Sequence, residues 1–362
     1  MFHVFLDDQA FSQNIILEMD HKMAWETGNM PIVYSTHPVH PDVARKLCLI
    51  CDFRIATAPT PAVILKEGVY AEIILVSAPI PEEYFTNAPH LRAAVRHGSG
   101  LDMIPVKAAT LAGVIVANAP GANSASVAEH VIFVSIALLR NFRPIDTTLR
   151  EQGWHQGRKL AERSHDLGGR KLGLLGFGNI GRALLPLATA FGMRVAATTR
   201  RPEALPASIE ALVLDDLMAQ CDVIVVCCPL NDSTRGLVSA QQIKLMKREA
   251  VLINVARGPI VDTAALISAL QWGRIAGAAL DVFDTQPLPR ESALFEMSNL
   301  ILTPHIAALT EESMFRMGDV SASEIIRILS GNLPINFCNP EVATFYRQRF
   351  GNLPTFARDS TN

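Results

Sequence analysis

The chain has 362 residues, of which 49% are hydrophobic and 19% charged, and its formal net charge is −3. That length exceeds what one core usually serves, so two domains are expected, and the composition excludes an intrinsically disordered chain. With no run of one sign and no basic face in prospect, no nucleic-acid partner is expected.

The first residues, MFHVFLDDQAFSQ, carry neither the basic start nor the continuous apolar segment of a secretory signal. Residues 1–30 show weak periodicity and read as an extension. From Pro31 onward, apolar runs alternate with helical stretches. The runs are PIVYST (31–36), FRIATA (53–58), AEIILVS (71–77), RAAVRHG (92–98) and VIVAN (114–118). Short strands separated by helices imply a parallel sheet covered on both faces. A long helix is expected from about Ser124 to Asn141. Its apolar part, Ala125 to Leu139, is shorter than the ~20 residues of a membrane span and contains Glu129 and His130. A buried helix is therefore expected there, and no membrane. A loop is expected around REQGWHQGRK (150–159). A second alternation follows in KLGLL (171–175), MRVAA (193–197), DVIVVC (222–227), AVLIN (250–254), AGAAL (276–280) and NLILT (299–303). This series has the length of a full dinucleotide-binding domain. A helix over about Thr310 to Leu329 and a tail close the chain.

The cysteines, Cys48, Cys51, Cys221, Cys227, Cys228 and Cys338, make no disulfide framework in a chain this long and fit a reducing cytoplasm. Cys48-Leu49-Ile50-Cys51 has no second pair at zinc spacing, so no metal is expected.

Gly176-Phe177-Gly178-Asn179-Ile180-Gly181 is a G-x-G-x-x-G that follows a strand-like run and opens a helical stretch. In that context Gly176 permits the tight turn, Gly178 lets backbone approach a pyrophosphate, and Gly181 permits close helix–strand packing. The helix start offers unpaired N–H groups and the positive end of its dipole to phosphates. Pro186, inside that helix, is expected to cost a hydrogen bond and produce a kink.

Four further segments complete a pattern: Ser126-Val127-Ala128-Glu129-His130, Asn254-Val255-Ala256-Arg257-Gly258, Ala279-Leu280-Asp281-Val282-Phe283 and Thr303-Pro304-His305. With the glycine turn they resemble the D-2-hydroxyacid dehydrogenases, over about Pro31 to Pro340. The resemblance implies an α/β protein of two Rossmann-like or flavodoxin-like parallel-sheet domains, with a cleft between them that holds the reaction. It implies a substrate domain over 31–122 and 308–345, a dinucleotide-binding domain over 123–307, and a tail over 346–362. It further implies an NAD(P)-dependent oxidoreductase of small 2-keto or 2-hydroxy acids, and a homodimer joined through the long apolar helix.

The residue types suit that chemistry. Arg257 offers a permanent charge and a planar fork for a carboxylate. His305 carries a proton exchangeable near neutral pH. Both lie just past strand ends, where open α/β sheets bind ligands. The resemblance places the substrate carboxylate on backbone N–H groups of His97-Gly98-Ser99-Gly100-Leu101-Asp102, with Ser99 and Gly100 as candidates. Asn123 matches a substrate-side Asn of formate dehydrogenase and could equally cap the long helix. Cys228, Pro229, Thr234, Val255, Ala256, Asp281, His305 and Ala307 fall at positions that line the cofactor in the family.

Two departures bear on function. Relatives usually carry Glu where this chain has Gln286; an amide orients an imidazole but brings no charge. Formate dehydrogenase also has Gln there, and its hydride transfer needs no proton donor, so formate is an alternative substrate. Asp284 or the substrate could otherwise assist a keto-acid reductase. The second departure is Thr199, where NAD-preferring relatives carry Asp to accept from the ribose 2′-OH. With Arg200 and Arg201 next, NADP(H) is expected to be favoured over NAD(H). The leading expectation is an NADP-preferring reductase of glyoxylate or hydroxypyruvate type, with a dinucleotide-sensing regulator as the alternative of another class.

Overall fold

The computed structural model of the chain describes residues 30–355. The extension expected over 1–30 therefore falls, Met30 apart, outside the described residues, as does the end of the tail. The chain divides into two units: residues up to Ala122 together with those from Met314 onward, and Asn123–Ser313.

The first unit is built on five parallel strands, β1 (Ile32–Ser35), β2 (Asp52–Ile55), β3 (Ile73–Val76), β4 (Ala93–Arg96) and β5 (Ile115–Ala117), in the order β2-β1-β3-β4-β5. Sequence and position agree. The central strand β3 reads IILV with all four residues buried, whereas edge strand β2 reads DFRI and ends exposed. The helices that cover the sheet announce their starts. Pro41–Cys48 and Pro61–Glu67 each begin with proline, capped by the side chains of His40 and Thr60. Cys48 thus ends a helix and Cys51 lies just beyond it. The helix Glu311–Leu329 packs Ala322, Ile325 and Ile328 into the same core as Val33, Leu75 and Val95. Gly318 lies so close to Val43 that an added Cβ would meet its Cγ2 at 2.8 Å. What read as a plain tail includes a helix, Ala343–Phe350, that buries Tyr346.

The second unit carries seven strands, β6 (Lys171–Leu175), β7 (Arg194–Thr198), β8 (Ile209–Ala211), β9 (Val223–Val226), β10 (Val251–Asn254), β11 (Gly277–Leu280) and β12 (Leu300–Leu302). Their order is β12-β11-β10-β9-β6-β7-β8. Counted from β6 this is the doubly wound arrangement 3-2-1-4-5-6 with one further strand, and its direction reverses between β6 and β9. Strand β8 adds to the six strands that the sequence marks. It is a three-residue edge strand with only Ile209 buried, too short to show a period.

The long helix is Ser124–Leu139. No single described helix is long and apolar enough to cross a membrane; one bent pair passes by length and composition, Ser124–Leu139 with Phe142–Gln152, at 54°. Asn141, at φ 51°, sits at the break. The loop expected over 150–159 is corrected: helices Phe142–Gln152 and Trp154–Leu160 pack on each other, interrupted at Gly153. Gly157 faces Leu149 so closely that a Cβ would come within 3.3 Å of its backbone. The helix Asn179–Ala190 runs through Pro186 without a break.

Candidate active site

All strands of the second sheet are parallel, so every segment that leaves a strand's carboxyl end emerges at one edge. The sequence motifs are those segments. Gly176 follows β6, Thr199 follows β7, Cys228 and Pro229 follow β9, Arg257 follows β10, Asp281 follows β11, and His305 follows β12.

At the reversal point the turns after β6 and β9 touch. Gly176 has φ +100°, and a Cβ on it would meet the Cα of Cys228 at 2.9 Å, so no side chain fits. The thiol of Cys227 donates to the Gly176 carbonyl at 3.0 Å. Burial pushes the thiols of Cys227 and Cys228 upward, so both stay protonated at neutral pH. Gly178 precedes the helix in extended backbone, and a Cβ placed on it would lie in open space. The Cβ expected to crowd the strand at Gly181 would first meet the ring of Phe177, at 2.9 Å. Asn179 and Ile180 open the helix, whose first-turn N–H groups have no intrahelical acceptors. An open cradle of free donors at a helix start suits a dinucleotide pyrophosphate. Across the edge, Thr234 closes its loop by donating to the Pro229 carbonyl at 2.7 Å and accepting from the Asn231 N–H at 2.8 Å. Thr199 accepts from the Arg201 N–H at 3.4 Å, and the side chains of Arg200 and Arg201 are exposed.

Strands β10, β11 and β12 are neighbours, which brings Arg257, Gln286 and His305 to one stretch of that edge. Asn254 shapes the arginine turn: its side chain accepts from the Ala256 N–H at 3.0 Å and donates to the Arg257 carbonyl at 2.9 Å. Val255 and Ala256 are buried beneath it, and Arg257 reaches its own turn's Ala256 carbonyl at 2.6 Å. Gly258 can be nothing larger, because a Cβ would fall 2.1 Å from the backbone of Phe283.

His305 adopts φ 57°, a left-handed conformation that costs a non-glycine residue about 1 kcal/mol. Asp281 holds it there. Its buried carboxylate accepts from the Thr303 hydroxyl at 2.6 Å, the Ile306 N–H at 2.8 Å and the Ala307 N–H at 3.0 Å. Its carbonyl accepts from the His305 N–H at 2.8 Å. Asp281, expected from the sequence to contact the cofactor, is seen to clamp the histidine segment. Only the acid's place at a strand end signalled it. The imidazole Nδ1 lies 3.3 Å from Oε1 of Gln286. Asp284 does not replace the missing Glu: its carboxylate accepts from the Thr263 hydroxyl at 2.7 Å. His130 is half-buried and feels the charge of Asp281. Burial lowers its proton affinity, and the aspartate's charge offsets this in part.

In the first unit, the loop after β4 holds Ser99 and Gly100. Among the described residues, the N–H groups of Ser99, Gly100 and Leu101 donate to no protein acceptor. Successive unpaired N–H groups are what an anion site needs. The Ser99 hydroxyl is occupied, donating to the Ala119 carbonyl at 3.2 Å and accepting from the Gly121 N–H at 3.3 Å. Its backbone is therefore the part left to bind. Asn123 begins the second unit at the start of Ser124–Leu139, and its side chain makes no capping hydrogen bond. The capping reading is corrected.

The family model for the NAD binding domain of the D-isomer specific 2-hydroxyacid dehydrogenases matches residues 132–307. A glyoxylate reductase of Thermococcus litoralis is 36% identical over 299 residues, covering 79% of this chain and 89% of the relative. A D-3-phosphoglycerate dehydrogenase of Methanocaldococcus jannaschii is 34% identical over 310 residues, 84% of this chain and 58% of that longer protein. Among solved structures, an NADPH-dependent glyoxylate/hydroxypyruvate reductase from Sinorhizobium meliloti, in complex with NADP and malonate, superposes with a TM-score of 0.76 at 28% identity, covering 92% of this chain and 100% of that one. The chain belongs to the D-isomer-specific 2-hydroxyacid dehydrogenases, oxidoreductases that use a nicotinamide cofactor.

Proposed function

We propose that this protein reduces a small 2-keto acid, of glyoxylate or hydroxypyruvate type, to its 2-hydroxy acid, with NADPH as the preferred reductant. The observation that carries this reading is the gathering of Arg257, Gln286 and His305 at the ends of three adjacent strands, on the edge that also holds the glycine turn. A reduced nicotinamide bound there supplies the hydride. Arg257 polarises the carbonyl and neutralises the carboxylate. With Nδ1–H donating to the Gln286 amide oxygen, His305 as imidazolium delivers its Nε2 proton to the carbonyl oxygen. Ser99 and Gly100 contribute N–H groups to the substrate carboxylate. Asn123 takes no part in capping and serves the substrate side.

For the cofactor, Gly176, Phe177, Gly178, Asn179, Ile180 and Gly181 hold the pyrophosphate. Cys228, Pro229, Thr234, Val255, Ala256, Asp281 and Ala307 line the nucleotide. Thr199, Arg200 and Arg201 take the 2′-phosphate: no acid repels it, and two exposed guanidinium groups stand beside it. The exposed apolar side chains Phe133, Phe142, Leu149 and Trp154, on consecutive helices, suit a homodimer contact. Six free thiols suit a reducing compartment, and we assign the cytoplasm on that ground.

Gln286 beside His305 favours one second reading, a formate-type dehydrogenase, in which no proton donor is required. A dinucleotide sensor without turnover is the other class. Initial rates on glyoxylate, hydroxypyruvate, pyruvate, phenylpyruvate and formate, each with NADPH and NADH or the oxidised forms, separate all three. The proposal expects the highest kcat/KM with glyoxylate or hydroxypyruvate and NADPH, and Arg200→Ala with Arg201→Ala should erase the cofactor preference. Turnover of formate alone, NADH preference, or no turnover would each overturn the corresponding part.

A further inference from the structure

The loop after β4 presents three N–H groups because its carbonyls are turned away, and one side chain does much of that. Arg96, the last residue of β4, folds its guanidinium back under the loop. Its Nη1 donates to the Val76 carbonyl at 2.8 Å and to the His97 carbonyl at 2.6 Å, and its Nε donates to the Gly100 carbonyl at 3.1 Å. The two intervening carbonyls are tied by the neighbouring segment: Gly98 accepts from the Ala119 N–H at 2.9 Å, and Ser99 accepts from the Asn118 amide at 2.7 Å. Every carbonyl from His97 to Gly100 is thus taken up by the protein. Gly98 makes room for this. It has φ +135°, and a Cβ on it would lie 3.7 Å from three guanidinium atoms, so the cation sits flat against the glycine.

We infer that Arg96 is a positioning residue for substrate: it locks the 97–100 loop with carbonyls inward and N–H groups free, and its fixed positive charge biases those N–H groups toward a carboxylate. The inference rests on the proposal that this loop binds the substrate carboxylate. It assigns that function to an arginine that touches the loop's oxygens. A guanidinium is required because three carbonyls at different angles need a planar, multi-donor group; an ammonium carries the charge but not the fork. Such a group acts equally on bound substrate and on the transition state, so its loss belongs in KM rather than in kcat.

The test uses full-length wild type, Arg96→Lys and Arg96→Gln, first checked for unchanged melting and unchanged NADPH dissociation constant. Steady-state glyoxylate reduction and binding of oxalate, a dicarboxylate probe, to the NADPH-loaded enzyme are then measured. We expect Arg96→Lys to raise the glyoxylate KM and the oxalate Kd about tenfold, and Arg96→Gln to raise both further, with kcat little changed, as for loss of a charge-assisted hydrogen bond. Wild-type KM and Kd in both folded variants, or a loss confined to kcat, would overturn the role of Arg96. The loop reading is judged separately by the amide 15N shifts of Ser99, Gly100 and Leu101 in wild type on adding oxalate. Shifted amides with unaffected variants remove Arg96 and leave the loop. Unshifted amides remove both.

Discussion

Two glycine loops follow parallel strands in this chain, one after β4 and one after β6, and they make free N–H donors by different means. The loop His97-Gly98-Ser99-Gly100 precedes no long helix. Its donors are free because each of its carbonyls is tied to a neighbouring group, two of them to Arg96. The turn Gly176–Gly181 needs no such ties. The helix Asn179–Ala190 leaves its first N–H groups unpaired by construction, and its dipole supplies the positive field. A helix start suits a pyrophosphate with several charges. A locked short loop suits one carboxylate. A G-x-G pattern therefore marks a place where backbone is laid bare, and the surroundings decide for which anion.

The sharpest expected division between the two loops is chemical, because the side chains proposed to react, Arg257 and His305, follow strands of the same sheet as the second. His305→Ala and Arg257→Ala should each lower kcat by about 10²–10⁴-fold with the fold intact. Changes at the first loop should move KM. Near wild-type kcat in His305→Ala would erase that division.

Backbone crowding offers the next contrast. Gly176→Ala meets both a forbidden conformation and the backbone of Cys228 at 2.9 Å, and should cost about 3–5 kcal/mol. Gly98→Ala meets only the conformation, with its nearest neighbours at 3.7 Å, and should cost about 1–2 kcal/mol. Equal losses in urea unfolding would show that contact with Cys228 does not limit the second turn.

The first loop also carries a buried titratable group. Burial, and then the charge of Arg96, holds His97 down to about 4, so it is neutral in the fold. The unfolded chain takes up that proton below pH 6.5. Stability is therefore full above 6.5 and falls as pH drops toward 4, by at most about 3 kcal/mol. His97→Gln should flatten the dependence of unfolding free energy on pH across that window, and an unchanged slope would assign the acid sensitivity elsewhere.

The smallest expected change is at Gln286. Gln286→Glu places an anion 3.3 Å from the ring that Gln286 now meets, which favours imidazolium and should extend keto-acid reduction to higher pH by about one unit. An unaltered pH profile would mean that the contact does not govern proton delivery.

Much of this was legible from the residues in order. Strands such as Ile73–Val76 and Val223–Val226 are uninterrupted apolar runs, because a parallel sheet buries both faces. The motif residues could be placed at strand ends because those runs stop where the motifs begin. The misses have local causes. Ile209–Ala211 is an edge strand of three residues with one buried side chain. The helices Phe142–Gln152 and Trp154–Leu160 bury little beyond Gly157, and Gly153 and Gly157 punctuate the stretch like a loop; their packing on each other, Gly157 against Leu149, shows why they form. Asn123 looked like a cap by type, yet side-chain direction, which sequence does not encode locally, left the helix start uncapped.

Composition, periodicity and motif spacing by themselves determined the doubled α/β alternation, the glycine turn, and the pairing of an arginine with a histidine past strand ends. Those properties depend on chain-local physics: which residues bury two faces, which tolerate positive φ, and which carry charge or an exchangeable proton. Tertiary structure alone decided that Asp281 clamps the His305 segment, that Asp284 turns to Thr263 while Gln286 meets the imidazole, and that Arg96 lies under the 97–100 loop. Each is a hydrogen bond whose partners are chosen by where strands and turns meet in space, and donor–acceptor geometry within about 3 Å is not written in any local stretch of sequence.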